Sequence, residues 1–151
     1  FMAIGIIGII VGLLFRSIKM ALISLVPNVF PLVLCGGIMG FFSIDFNLPT
    51  SIIFIIAFGI AVDDSIHFLA RLRQELNNNN NLSVALSRTF ASTGKAIIVT
   101  SLILSGGFLT LCLSDFLGTF YIGLLICITL VIALVCDLLL LPAVILLFYK
   151  K

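Results

Sequence analysis

The sequence predicts an all-α integral membrane protein, a bundle of five transmembrane helices with one short interfacial helix on the cytoplasmic side. Three observations predict it. Of 151 residues, 62% are hydrophobic and 9% charged, and the mean hydropathy is +1.40; soluble domains carry about 25% charged residues. Five apolar segments reach or approach the roughly 20 residues needed to cross about 30 Å of hydrocarbon. If all five cross, every Lys and Arg falls on one side.

The segments form a single transmembrane domain over residues 1–151, with spans at about 1–15, 23–42, 51–70, 95–113 and 119–148. The first starts at Phe1, already inside an apolar run, so the chain is expected to be part of a longer protein. It has no basic leader and no small-residue cleavage site, so a signal peptide is not expected. Arg16 and Lys19 close the first span. The second carries Pro27 and Pro31 near its start, which predict a kink because each removes a helical hydrogen bond. Gly8-x-x-x-Gly12 and Gly36-x-x-x-Gly40 predict close helix contacts. A short connection over 43–50, holding only Asp45, leads into the third span.

Between the third and fourth spans lies the one sizeable polar piece, 71–94, with Arg71, Arg73 and Arg88, and Lys95 just beyond it. It opens helix-like as ARLRQEL, breaks at the low-complexity run Asn77–Asn81, and resumes as LSVALSRTFASTGKA. Leu82, Leu86 and Phe90 recur there at helical spacing, as in an interfacial helix. The connection over 114–118 holds only Asp115. The last span is longer than one crossing requires and is expected to tilt or to bend at Pro142; Lys150 and Lys151 end the chain. By the positive-inside rule the basic side, with loop 71–94 and the chain end, is cytoplasmic. Four cysteines lie in apolar runs without ligand spacing and read as small hydrophobes.

Against this background the stretch GIAVDDSIHF, residues 59–68, stands out. One ionisable side chain inside a span costs on the order of 2.5–3.5 kcal/mol on insertion scales, which makes Asp63, Asp64 and His67 candidates for function. At about 100° per residue, with Asp63 at zero, Asp64 lies near 100° and His67 near 40°, and Arg71 continues the stripe. Opposite it, Ile55, Phe58, Val62, Ile66 and Leu69 form an apolar face expected to meet lipid, leaving the polar stripe to a partner helix or a water-filled crevice. Asp63 sits roughly 9 Å from the cytoplasmic end of its span. Thr100 and Ser101 in the fourth span and Asp137 in the last are expected at the same depth. That layer would hold three acids and no Lys or Arg, so at least one acid is expected to carry a proton. A carboxylate that gains and loses a proton is the part proton-coupled transport requires. Helix-carbonyl bonding is the competing role for Thr100 and Ser101, and helix packing the competing role for Asp137.

Four stretches together resemble a known family: SLVPNVFPLVLCGGIMGFFSIDFNLPT, GIAVDDSIHFLARLRQEL, FASTGKAIIVTSLILSGGFLTL and CDLLLLPAVILL. They are similar to the membrane half of the RND superfamily, in its MMPL-type and Patched/Dispatched-like branch of hydrophobe exporters. The resemblance covers nearly the whole chain. It implies the last five spans of one six-helix half, more like the C-terminal half. It also implies a second half and extracytoplasmic domains elsewhere in the protein, and Asp63 and Asp64 at the positions of the family's proton-relay acids. In the drug-efflux branch, a lysine from the opposite half pairs with such acids.

The function expected is therefore the membrane portion of a proton-driven exporter of lipids or other hydrophobic molecules in the cytoplasmic membrane. Protons are the coupling ion, with no other cofactor; Asp63 and Asp64 form the relay, and His67, Thr100, Ser101 and Asp137 give possible support. Its partners would be membrane lipids, the rest of the protein and a hydrophobic substrate. The alternative is a sterol- or lipid-sensing membrane module without transport. An intramembrane aspartyl protease using Asp63 and Asp137 fails on both motifs, because the acids stand in Ile-Ala-Val-Asp and Val-Cys-Asp. Nothing supports an enzyme, nucleic-acid binding, nucleotide binding or a catalytic metal: the sequence has no phosphate loop, no His/Cys ligand set and no basic groove.

Overall fold

A computed structural model describes residues 18–78 and 81–148. The expected first span and the Gly8–Gly12 pair lie outside them. Helix α1 covers Ile18–Phe41, α2 covers Leu48–Asn78 and α3 covers Leu82–Thr89. A π-helical turn, Phe90–Gly94, joins α3 to α4 at Lys95–Leu109, which ends in a 3₁₀ turn, Thr110–Leu113. Helix α5 covers Leu117–Val135, a second π turn covers Cys136–Leu140, and α6 covers Leu141–Phe148. Among the described residues three helical runs are long and apolar enough to cross a membrane: Thr50–Asn78, Leu82–Leu113 and Leu117–Leu147. A shorter apolar helix covers Pro27–Phe41.

Local chemistry explains where the helices stop. Helix α1 runs unbroken through Pro27 and Pro31 and ends at Ser43, whose φ of 52° is left-handed. The Ser43 amide bonds the Gly40 carbonyl at 3.3 Å and the Ile44 amide bonds the Met39 carbonyl at 2.9 Å, the pairing of a Schellman stop. Helix α2 starts in a reciprocal cap. The Thr50 amide donates to Asn47 Oδ1 at 3.1 Å, while the Asn47 amide donates to Thr50 Oγ1 at 2.8 Å. It then continues through ARLRQEL to the asparagine run, so about 46 Å of helix exceeds the hydrocarbon thickness by several turns. Asn81 restarts the helix by accepting from the Ser83 amide at 3.2 Å.

The segment expected to be a separate interfacial helix is instead continuous with the fourth span. Thr89 and Lys95, on either side of the π turn, both keep right-handed helical backbone, so 82–113 forms one run. Where the sequence suggested a tilt or a bend at Pro142, the structure has the second π turn just before the proline, inside one helical run. Pro142 offers no amide to the Leu138 carbonyl, and the backbone widens there, with the Leu141 amide reaching the Cys136 carbonyl.

Packing divides the interior into two apolar clusters. The one towards the α2–α3 connection joins Phe68, Leu69, Leu72, Ala85, Leu86, Ile97, Leu141 and Ile145. The other joins Cys35, Met39, Ile53, Leu125, Ile126 and Leu130. The close helix approach expected at Gly36 and Gly40 does not form among the described residues: both are exposed, and a side chain at Gly40 would meet nothing within 4 Å. It occurs at Gly123, where an added Cβ would come within 2.7 Å of the Phe108 carbonyl and 2.8 Å of the Leu111 Cβ. That backbone-to-backbone contact clamps the end of α4 to α5. Gly123→Ala should therefore destabilise the protein by about 1–3 kcal/mol and lower its melting temperature. Gly106→Ala, at a position with nothing within 4 Å, should leave the melting temperature unchanged or slightly raised.

Candidate functional site

The polar stripe of α2 faces a groove of about 1020 Å³ between α2 and the run from the first π turn into α4. Asp63, Asp64, His67, Arg71, Ser92 and Thr100 are among the residues lining it. His67 Nε2 stands 3.5 Å from Asp63 Oδ1, one turn apart on the same helix, and both side chains are 70% exposed. Asp64 is half-buried and accepts a long hydrogen bond, 3.5 Å, from Ser101 Oγ across the gap to α4. The angular order Asp63, His67, Asp64 expected from helix geometry therefore holds, and the two acids differ in setting. One is open to the groove beside an imidazole, and the other is turned against a neighbouring helix.

Which face points outward is reversed. Phe58, Val62 and Leu69, expected to meet lipid, are buried inside the bundle at 4%, 6% and 0% exposure, and Ile66 is half-buried. Only Ile55, at 71%, is exposed as expected. The charged stripe is the open side.

The single acidic layer also divides in two. Asp137 is 1% exposed and lies behind α2, where its Oδ1 accepts from Ser65 Oγ at 2.6 Å. Ser65 Oγ also stands 3.2 Å from Asn28 Oδ1, so α1, α2 and the second π turn meet at one buried polar point. By sequence position this point falls between the two apolar clusters. Asp64 remains within electrostatic reach of Asp137, while Asp63 faces the groove, so Asp63 and Asp137 do not form a dyad. Thr100 lines the groove, yet its hydroxyl is held by the Ala96 and Ile97 carbonyls of its own helix at 3.1 and 3.0 Å. Ser101 is buried and reaches Asp64.

Sequence reasoning missed Ser65 and Asn28. Ser65 lies about 200° from Asp63 around α2, on the side taken to be wholly apolar, and a lone Ser or Asn in a span carries little signal. It also missed Glu75, a buried acid at the groove's polar end. Glu75 Oε1 pairs with Arg71 Nη2 at 2.7 Å and its Oε2 with Arg88 Nη1 at 3.8 Å, which ties α3 back onto α2. Arg71 Nη1 also donates to Gln74 at 3.0 Å. No group of three or more His, Cys, Asp or Glu side chains that could hold a metal occurs among the described residues.

Comparison with known proteins agrees with the motif pattern. The family model described as "MMPL family" matches residues 1–151. A membrane protein of Methanocaldococcus jannaschii is 28% identical over 144 residues, covering 94% of this chain. The chain spans 37% of that relative's length. No solved structure matches.

Glu75→Gln should loosen the α2–α3 tie. Removing the shared charge from two arginines, one half-buried, should cost about 1–2 kcal/mol after allowance for solvent screening. The readout is faster limited proteolysis within the asparagine run, and a rate equal to wild type would exclude the tie.

Proposed function

The chain belongs to the MMPL family, and from that premise we propose that it is the membrane portion of a proton-driven exporter of lipids or other hydrophobic molecules. The observation that carries this reading is the placement of Asp63 and Asp64 in an open groove at mid-helix, one exposed beside His67 and the other facing Ser101. An exporter coupled to protons needs an acid that water can reach from one side and that senses a neighbouring helix on the other. Asp63 fits the first requirement and Asp64 the second.

In this reading the basic end of the bundle is cytoplasmic, because Arg71, Arg73, Arg88 and Lys95 gather there, and the membrane is the cell membrane. Protons arrive from the opposite side and load the Asp63–Asp64 pair. They leave past His67, which lies one turn nearer the basic end and within 3.5 Å of Asp63. Ser101 positions Asp64 against α4, so a change in charge on Asp64 alters a contact between two helices. Thr100 shapes the groove wall, and Asp137 stands behind the relay rather than within it. Movement of α4 against α2 would be passed to the remainder of the full-length protein, where hydrophobic cargo is handled.

The test is transport by the full-length protein in proteoliposomes under an imposed proton gradient. Asp63→Asn combined with Asp64→Asn should reduce transport at least tenfold with the protein still folded. His67→Gln should slow it less, since a neutral hydrogen-bonding side chain remains. Transport that survives the double substitution removes the relay. Lipid binding that is unchanged by the gradient, with no transport by wild type, would favour a lipid-sensing module instead.

A further inference from the structure

We propose that Asn28, Ser65 and Asp137 form a second, buried site that binds a small monovalent cation, sodium in the first instance. The proposal stands on the cluster behind α2 and holds whether or not the groove carries protons.

The argument starts from charge. Asp137 is 1% exposed, and its Oδ2 is buried without a hydrogen-bond partner among the described residues. Among those residues no Lys, Arg or His forms an ion pair with it; the three ion pairs found involve Asp63 and Glu75. The charged group within its electrostatic reach is Asp64, another acid. A carboxyl group sealed into an apolar bundle must be neutralised, by a proton or by a bound cation.

Oxygen geometry indicates what could supply that charge. Ser65 has one hydroxyl proton and two oxygen neighbours, Asp137 Oδ1 at 2.6 Å and Asn28 Oδ1 at 3.2 Å. With the proton on the shorter contact, a lone pair of Ser65 Oγ faces the Asn28 oxygen with no hydrogen between them. Two oxygens that bind one hard cation at about 2.3–2.6 Å, at right angles, stand roughly 3.3–3.7 Å apart, close to the observed spacing. The unpartnered Asp137 Oδ2 adds a further oxygen.

On two of its three sides the backbone around the cluster departs from full helical hydrogen bonding. Pro31 has no amide to give the Pro27 carbonyl, next to Asn28. Asp137 itself sits in the second π turn. Both helices stay continuous, yet each leaves a carbonyl beside the cluster without its usual amide, the kind of backbone oxygen that membrane transporters use to hold cations. The donors are all oxygen, which selects a hard cation. A single carboxylate balances one positive charge, and a divalent ion would leave a net charge buried.

The test uses the full-length protein in detergent or nanodiscs, with radioactive sodium binding and thermal melting in sodium chloride against choline chloride at equal ionic strength. Wild type should bind sodium saturably at about one ion per chain, and its melting temperature should rise with sodium. Asp137→Asn should lose at least tenfold in affinity, Ser65→Ala should weaken binding severalfold, and Asp45→Asn, in the exposed connection before α2, should leave it unchanged. Absence of saturable binding by wild type overturns the proposal without any variant, so a misfolded Asp137→Asn cannot rescue it. Binding kept by Asp137→Asn, or lost in Asp45→Asn, would also overturn it by moving the ion elsewhere. A carboxylic-acid infrared band that persists at saturating sodium and disappears in Asp137→Asn would identify the occupant as a proton, and would equally reject sodium.

Discussion

The hydrogen bond from Ser65 to Asp137, at 2.6 Å, sets the rotation of α2, and most of what the molecule displays follows from that rotation. Lipid offers a polar side chain no partner, so Ser65 could bond its own helix or a neighbour, and it bonds the neighbour. Once Ser65 is turned inward to Asp137 and Asn28, helix geometry leaves no choice for its neighbours. Asp63 and His67 lie about 160–200° away and must face outward, while Asp64, about 100° away, falls at the seam with α4. The groove, its exposed acid–imidazole pair and the Asp64–Ser101 contact thus belong to the same rotation of α2 that buries Ser65 with Phe58, Val62 and Leu69.

That dependence explains what the sequence could and could not reveal. Helix positions were legible because their signals are local: the short connection over 43–50, the asparagine run as a break, and Pro142 as a disturbance near the chain's end. The angular order of Asp63, His67 and Asp64 was legible for the same reason. The direction each face points was not. In water an apolar face points inward, but in a membrane lipid tails and helix neighbours are equally apolar. Phe58, Val62 and Leu69 therefore gave no hint that they pack inside. Ser65 and Asn28 were passed over because a lone small polar residue in a span usually bonds its own helix, as Thr89 and Thr129 do here at 2.8 and 2.7 Å. Their long-range partner became visible only when three helices were brought together.

The continuity of 82–113 has a mechanical meaning that separate elements would lack. Glu75 holds α3 against the extension of α2 through Arg71 and Arg88, and α3 runs through a π turn into α4, which carries Ser101. The two π turns touch: Leu138, from the second, packs over Gly94 at the end of the first. A displacement of α4 therefore meets the segment that holds Asp137, and the groove and the buried cluster share a mechanical link as well as an electrostatic one.

Asp64, at the seam with α4, and Asp137, buried behind α2, lie on different sides of one helix. Ala61, Val62, Phe68 and Leu69, at 2%, 6%, 0% and 0% exposure, form an apolar wall along α2 one turn below and above Ser65. The wall makes Asp64 and Asp137 neighbours in field but not in solvent. A positive charge arriving at one acid relaxes the repulsion felt by the other, even if no proton or ion passes between them. The interaction strengthens as the dielectric between the acids falls, so the apolar packing that seals Asp137 away also makes it responsive to the groove. Coupling of this kind requires no continuous water path. It requires that α2 keep its rotation, which the Ser65–Asp137 bond helps to hold.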